Sequence, residues 1–107
     1  MAAYFTRSGG SPLSPPGLVQ KISSNYQVQP TDYYIGCNGI GITVTLPANS
    51  LYPGKSYYIK DESGQASRNP IILSGNGNTI DGSATITFTM NYISVQVLWT
   101  GSGWSII

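Results

Sequence analysis

The sequence predicts an all-β fold: a small antiparallel sandwich or barrel-like knob over residues 31–107, preceded by an extended N-terminal arm over residues 1–30. Three observations carry that reading. Charged residues are 8% of the chain, against roughly 25% in ordinary soluble domains, and Ser, Thr, Asn, Gly and Tyr supply the polarity instead. Apolar residues recur with period two over short β-branched and aromatic runs, the pattern of strands half buried on a pleated surface. Between the runs lie clusters of Gly, Pro, Asn and Asp, and no segment has a helical period.

The arm opens the chain. "SGGSPLSPPG", Ser8 to Gly17, is rich in Gly and Pro. Pro12, Pro15 and Pro16 forbid a helix and favour extended, polyproline-like backbone. A short apolar patch follows, Leu18, Val19 and Ile22. By composition such a segment defaults to a floppy tail. Because it holds too few apolar groups to bury among themselves, it reads here as an arm lying on a partner or a sister subunit.

The strands follow in order from Tyr33. "ITVTLP" sets Ile42, Val44 and Leu46 on one face against Thr43 and Thr45. "SYYIK" puts Tyr57 and Ile59 together. "ATITFTM" alternates Ile86, Phe88 and Met90 with Thr85, Thr87 and Thr89. "SVQVLW" aligns Val95, Val97 and Trp99, and "WSII" aligns Trp104 and Ile106. The expected core is Ile42, Val44, Leu46, Ile59, Ile86, Phe88, Val95, Val97 and Trp99. Asn38–Gly39 and Asp81–Gly82 fit turns with positive φ. The count is seven to nine short strands.

A domain of the size of residues 31–107 buries only about 60–65% of its unfolded surface. With a single cysteine, Cys37, there is no intrachain disulfide. No metal motif stands in its place, so oligomerisation is the remaining staple. Low charge agrees, since buried interfaces are depleted in charged residues. Cys37 itself reads as a small buried residue made in a reducing cytosol.

The composition argues against most chemistry. There is no His, which removes Ser-His-Asp and Cys-His triads and most zinc sites. The net charge of +1 is too small to grip nucleic acid. No apolar run approaches the ~20 residues of a membrane span, and "MAAYFTRSGGSPL" holds no apolar core of signal-peptide length. The exception to the low charge is "YYIKDESGQASRNP", where Lys60, Asp61, Glu62 and Arg68 gather. Adjacent Asp61 and Glu62 point in different directions and cannot flank one scissile bond. The stretch reads as a strand exit into a turn, with Asp61 accepting backbone N–H groups, Gly64 at positive φ, and Lys60 and Arg68 balancing the charge. Asp81 in "TIDGS" and Asp32 in "PTDYY" read the same way, as turn or strand-start residues. A calcium site on Asp61 and Glu62 lacks carboxylates for a cation that takes six to eight oxygens. No cofactor is expected. Tyr33, Tyr34, Tyr52 and Tyr92 fit a sugar-binding platform, but interface or core positions suit them better, since Tyr is enriched at both.

From Asp32 to Ile107 the chain resembles a module of bacteriophage tail-fibre and tailspike proteins and of small capsid cement (decoration or head-fibre) proteins. The runs that carry the resemblance are "DYYIGCNGIGITVTLPA", "GKSYYIKDESG", "NPIILSGNGNTIDG" and "YISVQVLWTGSGWSII". The resemblance implies a homotrimeric β knob without catalysis, made in the host cytoplasm and carried on the virion. No long β-helix or enzymatic domain accompanies the module in this sequence, which favours a free-standing trimer on the capsid surface. The expectation is then a cement protein whose arm clamps the major capsid protein. Tyr4, Phe5, Leu13, Leu18 and Val19 would be its apolar anchors and Arg7 a salt-bridge partner. The alternative is a receptor-binding tip or adaptor of a tail fibre, with a host-surface glycan or a tail protein as partner.

Overall fold

The computed structural model describes residues 17–49 and 51–107. Period-two alternation yields nine strands there: β1 (Leu18–Ile22), β2 (Tyr26–Gln27), β3 (Asp32–Cys37), β4 (Thr43–Thr45), β5 (Ser56–Asp61), β6 (Ile71–Ser74), β7 (Thr85–Phe88), β8 (Ser94–Trp99) and β9 (Trp104–Ile106). They build a five-stranded sheet, β1-β3-β5-β8-β9, and a four-stranded sheet, β2-β4-β6-β7. Among the described residues there is no helix. The segment 18–27, within the stretch read as arm, thus supplies the first strand of each sheet.

The chain winds. Through β6 it crosses from one sheet to the other after every strand, so β1, β3 and β5 run parallel in one sheet and β2, β4 and β6 run parallel in the other. The last third reverses: β7 pairs antiparallel with β6, β8 with β5, and β9 with β8. The expectation of an antiparallel knob is therefore corrected to two mixed sheets. Alternation fixes which face of a strand is buried, but not the direction of its neighbour. Parallel neighbours need a long crossover, and here the opposite sheet serves as that crossover. The barrel-like alternative is corrected too. Among the described residues neither sheet closes, and β1, β9, β2 and β7 are edges.

One turn signal misled for a readable reason. Neither Asn38 nor Gly39 has positive φ. Gly39 is needed for close approach instead: a Cβ there would lie 2.3 Å from the Ser23 carbonyl oxygen. The neighbouring Asn38 N–H donates to the Ile22 carbonyl at 2.8 Å. The pair thus packs the first winding against the second rather than closing a hairpin. The left-handed pairs are Asn76–Gly77 and Asp81–Gly82.

The core lies between the sheets. Ile35, Ile59 and Val95 form one inward row of the larger sheet, and Tyr26, Val44, Leu73 and Ile86 form one of the smaller. Of the expected core, Ile42, Val44, Leu46, Ile59, Phe88 and Val97 are buried, while Ile86, Val95 and Trp99 are half-buried against them. Tyr57 and Trp104 are buried as well, with ring centroids 5.9 Å apart. Met90 departs from its pattern: β7 stops at Phe88, and Met90 is exposed.

Candidate interaction surface

Strand β1 is an edge strand. Its inward positions are Gln20 and Ile22, and the latter packs on the core. Leu18 and Val19 are 52% and 60% exposed, and a register shift between them offsets the pairing with β3. These two are the only expected anchors among the described residues. Tyr4, Phe5, Arg7 and Leu13 lie outside them. An edge strand offers unpaired N–H and C=O groups along its free side, and here two apolar side chains stand beside that row.

Asp32 fastens this strand to the winding. Its buried carboxylate accepts from the Gln20 amide on β1 at 2.9 Å, from the Tyr26 hydroxyl on β2 at 2.7 Å and from the Gln29 N–H at 2.9 Å. Burial, and then the hydrogen bond to Asp32, push the Tyr26 phenol up to about 12. Sequence reading placed Asp32 at a strand start, which is correct, but its role in joining both sheets needed the topology.

The charged stretch is a turn, and a firmly held one. Asp61 ends β5 with its side chain inward and 1% exposed. Oδ1 accepts from the Ser63 hydroxyl at 2.6 Å, the Ser63 N–H at 3.1 Å and the Gly64 N–H at 3.2 Å. Oδ2 accepts from the Ala66 and Tyr92 N–H groups, both at 3.0 Å. Burial pushes the Asp61 pKa up, but the hydrogen bonds from Ser63, Tyr92 and Ala66 outweigh it and hold the carboxyl below its ordinary range. A carboxylate surrounded by donors offers its oxygens to N–H and O–H groups, the reverse of what a cation needs. Glu62 turns outward to accept from the Tyr34 hydroxyl, so the two carboxylates diverge.

The loop carrying Tyr92 closes over this turn. Tyr92 sits at φ 61°, a costly conformation for a bulky residue. Its N–H is held by Asp61, its carbonyl accepts from Lys60 Nζ at 2.8 Å, and its ring fills the space over Gly64, where a Cβ would lie 2.3 Å from the ring. Gly64 itself is at φ +70°. Lys60 thus engages a carbonyl and, at 5.7 Å, an aromatic face. Arg68 lies in the following turn, its N–H donating to the Gln65 carbonyl. Cys37 is buried nearby; burial first and the Asp61 charge second push its thiol up to about 12, which keeps it protonated and unreactive at neutral pH.

The outer face of the larger sheet is aromatic and charged. Tyr34 and Tyr58 stand in one cross-strand row with Val19 and Gln96, and the Tyr33 and Tyr58 rings meet edge to face at 5.2 Å. Beside them is a shallow hollow lined by Lys21, Gly36, Asn38 and Glu62. Of the tyrosines considered for a platform, Tyr33 and Tyr34 share this face and are half-buried, whereas Tyr52 and Tyr92 are exposed on loops, Tyr92 beside Lys60. Tyr58 and the hollow were not singled out in the sequence, because alternation alone does not show which strands become neighbours. In comparisons with family models and with curated proteins, the chain matches none.

Proposed function

We propose that this protein is a structural virion protein: a capsid cement protein that forms homotrimers and clamps neighbouring subunits of the major capsid protein through its N-terminal arm. The observation that carries the reading is β1, an edge strand within the stretch read as arm, which exposes Leu18 and Val19. The resemblance of residues 32–107 to phage knob modules supports it, and so does the closed hydrogen bonding of Asp61, which leaves that carboxylate a structural task. The mechanism is multivalent. Each trimer carries three arms, so once one is seated the others bind at high effective concentration, and modest contacts sum to a strong clamp.

The test is to delete residues 1–16, which leaves β1 in place. The truncated protein keeps its fold and loses binding to empty capsids in a sedimentation assay. Unchanged capsid affinity would overturn the clamp. One observation favours a second reading, that of a receptor-binding tip or tail adaptor. The Tyr33, Tyr34 and Tyr58 face beside the Glu62 and Asn38 hollow combines aromatic surface with hydrogen-bonding groups, the elements of a glycan site. Binding of host-surface polysaccharide by the truncated protein, lost on Tyr58→Ala, would bring that reading forward.

A further inference from the structure

Three sites in the chain have the local chemistry for attack of a backbone nitrogen on the preceding side chain: Asn38–Gly39, Asn76–Gly77 and Asp81–Gly82. Gly on the attacking side has no Cβ to block the approach and leaves the backbone free to turn. The fold treats the three differently. The Asn38 N–H donates to the Ile22 carbonyl at 2.8 Å, and a Cβ on Gly39 would lie 2.3 Å from the Ser23 carbonyl oxygen. Closing a ring there would turn this peptide into the first winding. Asp81 is held at both ends: its N–H donates to the Trp104 carbonyl at 2.9 Å and its Oδ1 accepts from the Ile106 N–H at 3.2 Å. Its carboxylate is also a poor target for a nucleophile.

Asn76–Gly77 is open. Both residues are exposed, with φ 56° and 92°, in a turn just past β6. The turn is closed by the Asn78 N–H on the Gly75 carbonyl at 3.1 Å, and below it the Gly75 N–H donates to the Ala84 carbonyl at 3.0 Å. Those bonds leave the tip out: among the described residues, nothing accepts from the Gly77 N–H and nothing bonds to the Asn76 side-chain amide. No heavy atom lies within 4 Å of where a Gly77 Cβ would stand. We infer that Asn76 is a site of spontaneous deamidation, and that the fold confines the reaction to it. The Gly77 nitrogen attacks Asn76 Cγ and loses its proton to solvent base, while the Cγ–Nδ2 bond breaks and ammonia leaves. Water then opens the resulting succinimide at either carbonyl, giving aspartate or isoaspartate. The new carboxylate enters a hollow, lined by Gln27, Pro30, Pro47 and Asn49 among others, that holds no charged side chain. It also takes the net charge from +1 to zero, where long-range repulsion between copies is lost and association is favoured. The reaction needs no partner, so it is independent of the virion reading.

The test is to age the full-length protein in warm, mildly alkaline buffer, folded and in urea, and to map its peptides by mass spectrometry over time. In urea the Asn38 and Asn76 peptides should convert at comparable rates. In the folded protein the Asn76 peptide should convert several-fold faster than the Asn38 peptide, with isoaspartate among the products, and ageing in water enriched in heavy oxygen should label the product. Asn76→Gln, whose longer side chain closes the ring far more slowly, should keep a single band on isoelectric focusing, and Asn76→Asp should run with the aged band. An unchanged Asn76 peptide in the folded protein would overturn the inference. So would an Asn38 peptide that keeps pace with it, or an aged band that still forms in Asn76→Gln at the wild-type rate.

Discussion

Asp61 concentrates more structure than any other single side chain described, since it ties the end of β5, the Ser63–Ala66 turn and the start of the Tyr92 loop. Replacing it with alanine orphans the Gly64 and Ala66 donors, both buried. At about 1–3 kcal/mol for each unsatisfied buried donor, Asp61→Ala should lower the unfolding free energy by ~2–6 kcal/mol, measured by urea titration. A loss below ~0.5 kcal/mol would mean that the turn holds without its carboxylate. Acid has the same target. The folded-state pKa of Asp61 lies below its unfolded value, so its contribution is present above pH ~4 and fades as pH falls through the folded-state value. Unfolding titrations below pH 4 should therefore show a shallower pH dependence in Asp61→Asn than in the wild type. Asp61 was legible as a turn residue from "DESG"; its reach to Tyr92 was not, because hydrogen bonds between distant loops leave no local pattern.

Strands were legible wherever alternation was clean. Thr43–Thr45, Ser56–Asp61, Thr85–Phe88, Ser94–Trp99 and Trp104–Ile106 all arise from runs that alternate in sequence. Strands β1 and β2 were harder to see: the first follows a proline-rich stretch and exposes its opening apolar pair, and the second spans only Tyr26–Gln27. Their partners, β3 and β4, are what make them strands. Leu18 and Val19 are exposed on an edge, but nothing in their sequence marks the edge. Strand β7 offers the sharpest check on register. Phe88 is buried and its neighbour Thr87 exposed, so Phe88→Ala should cost about 3–5 kcal/mol. Thr87→Ala should stay within ~0.5 kcal/mol in the dissociated chain. Equal costs in chemical denaturation would show that the strand does not have one face inward.

At the scale of the whole molecule, the fold spreads a modest core between two open sheets, and in the proposed trimer part of its stability comes from neighbouring copies. The melting temperature should then rise with protein concentration, since association favours the folded state by mass action. Scanning calorimetry across a hundredfold dilution series checks this, and a midpoint independent of concentration would count against a reversible trimer. The winding has a further consequence, in time rather than in stability. No strand before β6 pairs with the next one along the chain. Val19 waits for Tyr34, Tyr34 for Tyr58 and Ile59 for Val95. Each pairing closes a long loop before any contact rewards it, so the chain should fold slowly, in the millisecond-to-second range of high-contact-order proteins. Stopped-flow refolding of the truncated chain would measure it, and microsecond folding would contradict this picture. During that interval the unpaired strands stand bare, so the yield of folded protein should fall as chains crowd together, a competition between winding and sticking decided by concentration at synthesis.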